Sequence, residues 1–486
     1  MYGYLKRLVA SGAAYQVGDA VAKVFALALL PVYTRYLAPA AYGTAEVVLT
    51  LVLSLSIVVR FGVVEAFVRF YYLDDDEARR RRVTRTATGF LLATTTLAAL
   101  ALVALADPAS RFVLGHHDAA VMRLTALGLW AFTNLEGAQA VLRVDERRRT
   151  YLVSSLINVG LTISLTVYLV VVRHGGVHGY VAGNYIASAV VLVGLWWVLR
   201  ERLGLPTLRV ELPPMLRFGL PTVPAELSVY ALNVIDRVYL YRASSAAAAG
   251  LYSLAVKLAA VIIAIVRAFQ YAYPPLAYSV RDDAVAARLY ATVTTYYVLL
   301  CGFIVAAAAL LGRWVLRVFA KHSYFAAHRA LPWVALGWAL YGLFLVLVVL
   351  AGRARVTTRN VIAASAGVLV NVIGLVVLVG PLGIAGAGIA LCAAYVVMLA
   401  VMYRLTRNLF PVAFEWRRLI HAVVVIAAPS VLGELLLPTS GAVGFVTRVL
   451  TLAAIPALLV FSCFLRQPER ARLRSLAARA LARSGA

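Results

Sequence analysis

Five cations standing inside apolar runs are the residues of this chain best placed to do chemistry: Lys23, Arg60, Arg237, Lys257 and Arg267. Each falls in a stretch apolar enough to cross a bilayer, where an ionisable side chain is costly and marks a function by default. Their common sign points to an anionic ligand. Four acids lie among them: Asp19, Glu65, Glu226 and Asp236 are expected to serve as proton or cation sites or to neutralise the cations. Asp19 precedes Lys23 by four residues, on one helical face, where it can hold the lysine between ligands. The competing reading of each residue is an internal ion pair that fixes helix packing. For Arg237 that reading gains from Asp236 beside it and from the option of snorkelling to the surface.

Other polar residues are read without chemistry. Arg35, Arg69 and Arg242 sit at span ends as interfacial anchors, and Tyr33, Tyr36, Tyr42, Tyr71 and Tyr72 read as an aromatic belt. His116 and His117 lack metal-ligand spacing, and Cys301, Cys392 and Cys463 fall inside apolar spans as packing residues. No metal and no cofactor is expected. Asp74, Asp75, Asp76 and Glu77 abut an arginine run and predict a self-neutralising turn.

The elements that must position these residues are transmembrane helices. At 63% hydrophobic and 14% charged, the chain is far from a soluble domain, which is about 45–50% apolar and about 25% charged. A net charge of +25 invites a nucleic-acid reading, but the arginines lie between apolar spans, so no nucleic-acid partner is expected. A crossing needs roughly 20 apolar residues, which gives about fourteen spans. They run near 11–36, 44–71, 86–106, 120–143, 151–172, 179–199, 219–241, 251–275, 289–311, 329–351, 360–380, 383–403, 419–437 and 443–465. Most of the 46 cationic residues fall in the even-numbered connections and the two tails, which places both termini in the cytoplasm by the positive-inside rule. Arg313, Arg317, Lys321 and Arg329 depart from that pattern and read as an anion-attracting outer rim. After Arg466, leucines and alanines recur at helical spacing among arginines, as in a helix lying on an anionic leaflet.

The two halves repeat. Gly12 and Gly219, Asp19 and Glu226, Arg35 and Arg242, Gly43 and Gly250, and Arg60 and Arg267 all pair at an offset of 207 residues, as do Gly179 and Gly386. Six spans separate the copies, an even number, so both copies have one orientation in the membrane and a cavity is expected between them. The fold class is therefore all-α integral membrane, with two parallel six-helix repeats and a C-terminal pair. The lobes are 1–205 and 206–410, followed by spans thirteen and fourteen at 411–465 and a basic amphipathic tail at 466–486.

Residues 29–47, LLPVYTRYLAPAAYGTAEV, and 62–72, GVVEAFVRFYY, resemble the opening of polysaccharide-export flippases of the multidrug/oligosaccharidyl-lipid/polysaccharide exporter superfamily. Asp236-Arg237 and the GLYSLAVK run ending at Lys257 look like that family's second lobe. The resemblance implies a bacterial cytoplasmic-membrane protein that moves undecaprenyl-pyrophosphate-linked oligosaccharide between leaflets, working beside a polysaccharide polymerase and glycosyltransferases. Lys23, Arg60, Arg237, Lys257 and Arg267 are then the phosphate ligands. Arg suits a bidentate phosphate, and Lys acts as a point charge.

Two rivals stand. A cation-coupled multidrug exporter of the same superfamily would prefer an acidic cavity, against the positive inventory. A glycan polymerase or ligase would need a loop bearing catalytic carboxylates or histidines. The connection near 312–328 offers only His322 and His328, so no enzymatic activity is expected.

Overall fold

The computed structural model describes residues 25, 27–74, 76–204, 206–207, 209–280, 282–353, 359–409, 412–462 and 464. Every regular element among them is helical. Lipid offers backbone N–H and C=O groups no partners, so a crossing segment must satisfy them internally. Most of the expected first span, Lys23 and Asp19 with it, lies outside the described residues, as do Cys463 and the tail at 466–486.

The chain divides into two compact units. The first holds the described residues up to Lys257, with Phe319–Ala326 and Val379–Ile384. Its helices are α1 (Leu30–Tyr36), α2 (Pro39–Val59), α3 (Val63–Tyr71), α4 (Glu77–Ala104), α5 (Ala106–Leu114), α6 (Ala119–Val144), α7 (Arg148–Val167, continued by a π turn at Tyr168–Val172), α8 (Gly176–Val198), α9 (Leu212–Gly219), α10 (Thr222–Ala243) and α11 (Ala246–Leu258). Helix α6 is the hub, packing on α2, α4 and α8. Leu91, Leu135, Val141 and Leu192 bury a core there. The acidic turn starts α4 as its composition predicts. Asp76 accepts from the N–H groups of Ala78 and Arg79, Asp74 pairs with Arg79 at 3.7 Å, and Glu77 pairs with Arg81 at 3.5 Å.

Two expected spans are broken. The span expected at 44–71 parts between α2 and α3, where Phe61 and Gly62 take φ of 50° and 68°. Positive φ costs a side-chain-bearing residue but not glycine, so Gly62 is the hinge. The span expected at 219–241 starts at a break, with Leu220 and Pro221 separating α9, which ends at Gly219, from α10, which is continuous from Thr222. The two breaks touch. A methyl built on Gly62 would lie 2.1 Å from the Gly219 carbonyl oxygen, and one on Gly219 would lie 2.3 Å from that of Gly62. No larger residue fits at either place.

The second unit holds α12 (Ala260–Ser279), most of α13 (Asp283–Phe319), α14 (Leu331–Arg353), α16 (Trp416–Leu436), α17 (Gly441–Phe461) and the larger part of α15 (Arg359–Thr406). At 48 residues, α15 would measure about 72 Å if straight, against a hydrocarbon core of about 30 Å. Gly383, at φ 57° and ψ −134°, interrupts it, close to the boundary expected between the spans at 360–380 and 383–403. Arg448, fully buried, ties α16 and α17 to α13. It pairs with Glu434 and donates to the Leu310 carbonyl at 3.2 Å, while Arg313 meets Glu434 at 2.6 Å. Arg313 is thus part of an ion-pair cluster. Cys301 is buried, and the buried Cys392 thiol donates to the Trp333 carbonyl at 3.1 Å.

Among the described residues nine helices are long and apolar enough to cross a membrane, or ten when the bent pair Ala246–Leu258 and Ala260–Gln270 counts as one span. The helix boundaries also carry the sequence repeat. Helices α1 and α10 end at Tyr36 and Ala243, and α2 and α11 begin at Pro39 and Ala246, each pair 207 residues apart.

Candidate functional site

Lys257 occupies the last turn of α11, where the unpaired carbonyls of a helix C-terminus favour a cation. Its Nζ lies 2.5 Å from Glu46 Oε1 of α2 and donates to the Tyr180 hydroxyl of α8 at 3.3 Å. The Tyr180 hydroxyl also donates to Glu46 Oε1 at 3.4 Å. Tyr42, one turn before Glu46 on the same face of α2, turns its ring to the ammonium at 5.0 Å, and the Tyr180 ring stands at 5.9 Å. A cation over an aromatic face gains electrostatic attraction, more so when desolvated. Tyr33 and Tyr324 extend the wall, edge-on to Tyr180 and Tyr42 respectively. Tyr33 and Tyr42 therefore line this buried pocket of charge rather than a lipid-facing belt, while Tyr36 and Tyr72 are exposed and Tyr71 bonds Asp145 at 2.6 Å.

Glu46 feels a second cation, Arg237 of α10. The Nε of Arg237 is buried and has no hydrogen-bond partner among the described residues. Its neighbour Asp236 accepts the Tyr252 hydroxyl at 2.7 Å.

Arg60 makes a separate centre at the break between α2 and α3. Its Nη1 meets Glu136 Oε2 of α6 at 3.1 Å and its Nη2 meets Glu226 Oε1 of α10 at 2.7 Å. The glycine contact between the two chain breaks, Gly62 on Gly219, brings these elements close enough for one guanidinium to span both carboxylates. Glu65, at the start of α3, lies near enough to repel Glu136 and Glu226, and its Oε2 is buried without a hydrogen-bond partner among the described residues. Glu136 and Glu226 thus share Arg60 in contact, with Glu65 close by and Arg143 of α6 acting on Glu136 at longer range.

The structure gathers Lys257 and Arg237 about Glu46, and Arg60 with Glu65 and Glu226 about Glu136. It places Arg267 on α12 of the second unit, exposed. Glu46, Glu136 and Tyr180 are not among the candidates read from the sequence. The signal was present for the two acids: Glu46 is the only charged residue of α2 and Glu136 the only acid of α6, and a lone acid in an apolar helix warrants a partner. Chemically, both centres can act as exchange sites, since each cation can trade a carboxylate for another anion and each released carboxylate can take a proton or a cation.

A family profile described as polysaccharide biosynthesis protein matches residues 8–280. No curated protein matches the chain in sequence. Among solved structures, the chain is similar to the lipid II flippase MurJ in an inward closed conformation, at 12% identity and a TM-score of 0.73 over 92% of this chain and 97% of that one. It is also similar to an inward-facing multidrug resistance MATE family transporter of the MOP superfamily, at 17% identity and a TM-score of 0.64 over 80% and 94% of the two chains. A third likeness is to an outward-facing conformation of a multidrug resistance MATE family transporter of the MOP superfamily, at 16% identity and a TM-score of 0.54 over 82% and 93%. The likeness is one of fold, an all-helical chain with many long apolar helices.

Proposed function

Because the chain belongs to the polysaccharide biosynthesis protein family, we propose that it is a flippase of the bacterial cytoplasmic membrane, carrying a polyprenyl-pyrophosphate-linked oligosaccharide from the inner to the outer leaflet by alternating access. The observation that supports this reading is the pairing of two intramembrane cations with carboxylates from other helices, Lys257 with Glu46 and Arg60 with Glu136 and Glu226. An unpaired charge in a low-dielectric site is costly, and so is a charge stripped of its partner. A pyrophosphate arriving at Lys257 takes the place of Glu46, and Glu46 turns to Arg237 or is protonated. Arg60 offers the same exchange, with a forked geometry that matches phosphate oxygens. The work is non-covalent: no bond of the cargo breaks. Supply of the lipid-linked sugar belongs to glycosyltransferases and its use to a polymerase.

The test is translocation in liposomes of a polyprenyl-pyrophosphate oligosaccharide by the purified chain. Lys257→Ala and Arg60→Ala are expected to stop it, and wild-type rates in both variants would overturn the proposal.

A second reading rests on the acids about Arg60. Glu65, Glu136 and Glu226 outnumber the cations that face them, and an excess of carboxylate suits an organic cation moved against protons, the cargo class of a drug exporter. Expression in a drug-sensitive host separates the two: raised resistance that is lost in Glu136→Gln supports export of cations, and unchanged resistance dismisses it.

A further inference from the structure

The arginine run at the head of α4 ends beside an apolar crevice of about 220 Å³ within the first unit. Gly89 and Leu92 of α4, Gly137 of α6, Trp196 of α8, and Leu203 and Gly204 beyond it form its walls. Small residues hold it open: a methyl on Gly137 would lie 2.9 Å from Leu91 Cδ1, and one on Gly89 would lie 3.0 Å from Pro206. Arg85 abuts one of its walls, its Nε only 2.8 Å from where a Gly204 methyl would sit. That Nε is buried and has no hydrogen-bond partner among the described residues. Its neighbours are satisfied. Arg79 pairs with Asp74, Arg81 with Glu77 and Arg82 with Glu211, and Arg80 stacks on Tyr71. A buried donor left unmade costs free energy, so Arg85 is the member of an otherwise neutralised run that gains from an outside acceptor.

The spacing along the helix fixes the shape of a matching ligand. Gly89 and Leu92 follow Arg85 by four and seven residues, about 6 and 10 Å further along α4, toward the apolar part of the span. An occupant with an anionic oxygen at Arg85 and a hydrocarbon chain running toward Leu92 satisfies both ends at once. We propose that this crevice binds one anionic phospholipid of the leaflet at the arginine-rich end of α4, its phosphate on Arg85 and one acyl chain between α4, α6 and α8. Neither Lys257 nor Arg60 is among the crevice walls, so on this proposal the lipid is a bound constituent of the carrier, not its cargo.

Native mass spectrometry of the full chain in detergent, titrated with phosphatidylglycerol, phosphatidylcholine or inorganic phosphate, tests this. One tightly held phosphatidylglycerol is expected, weakened about tenfold in Arg85→Gln, the scale of one lost hydrogen bond to a charged group. Arg85→Lys should keep most of the affinity, which separates loss of charge from misfolding. Leu92→Trp, which narrows the crevice, should weaken both phospholipids alike. Equal retention of phosphatidylglycerol by the parent chain and Arg85→Gln would overturn the proposal. So would binding of inorganic phosphate as tightly as the lipid, or displacement of phosphatidylglycerol by undecaprenyl phosphate, which would make the crevice a cargo site. Translocation tested beside it keeps its rate in Arg85→Gln if the two sites are distinct.

Discussion

Gly43 and Gly250, equivalents at the 207-residue offset, are packed against each other backbone to backbone. A methyl on Gly43 would lie 1.9 Å from the Ala246 oxygen, and one on Gly250 would lie 2.0 Å from the Pro39 oxygen. Pro39 and Ala246 are themselves 207 residues apart and open α2 and α11. When residue i meets the equivalent of j while j meets the equivalent of i, the contact is isologous, and a local two-fold axis passes through it. The sequence repeat is therefore a geometric one at this crossing, made possible by small residues that let two helices approach closely.

Alanine at either glycine should then be costly and nearly equally so. Gly43→Ala and Gly250→Ala are each expected to lower stability by about 1–3 kcal/mol, the usual effect of overpacking. Thermal unfolding in detergent measures this, and a large inequality between the two would argue against the two-fold contact.

At the Lys257 centre, removal of one partner is expected to differ from removal of both. Glu46→Gln strips a half-buried ammonium of its counter-charge and should destabilise by about 1–3 kcal/mol while tightening the binding of inorganic pyrophosphate. Lys257→Ala with Glu46→Ala removes the pair, so stability should recover relative to either single change but translocation should not. Unfolding curves with pyrophosphate titrations check both parts.

Arg60 holds two carboxylates through separate nitrogens, a geometry that Lys cannot copy. Arg60→Lys keeps the charge and loses the fork, and should slow translocation by about tenfold, the scale of one charge-assisted bond. A rate equal to that of the parent chain would show that charge alone suffices there.

The second unit offers a stability test of its own. Arg448 is wholly buried among Glu434 and backbone carbonyls, so Glu434→Gln should cost about 3–5 kcal/mol by leaving that charge unpaired. Arg448→Met combined with Glu434→Leu should recover most of the loss, read as the unfolding midpoint.

Much of the architecture was legible because lipid makes composition and span length decisive. Loop arginines, span lengths and the Gly380-Pro381 region anticipate the division of α15, though the break itself falls at Gly383. The breaks at Gly62 and Leu220 were not legible, since each depends on backbone packing against the other, which no local pattern encodes. Of the site, Arg60 and Lys257 could be found from their charge in an apolar setting. Of their partners, Glu226 was among the four candidate acids, whereas Glu46 and Glu136 were not, because they reach the cations across helices far apart in sequence. Tyr33 and Tyr42 were misplaced for a related reason: a ring at a span end looks alike whether it faces headgroups or a half-buried ammonium.

The ion pair between Lys257 and Glu46 bears on the insulation of the cell envelope. A carrier with a bare ammonium at rest would draw chloride and free orthophosphate into the bilayer and, turning over empty, dissipate gradients. With the ammonium already matched by a carboxylate, small monovalent anions have little to gain by entering. On the proposed function, an anion must outcompete Glu46 to reach Lys257, so the bond that cargo would displace also disfavours idle cycling.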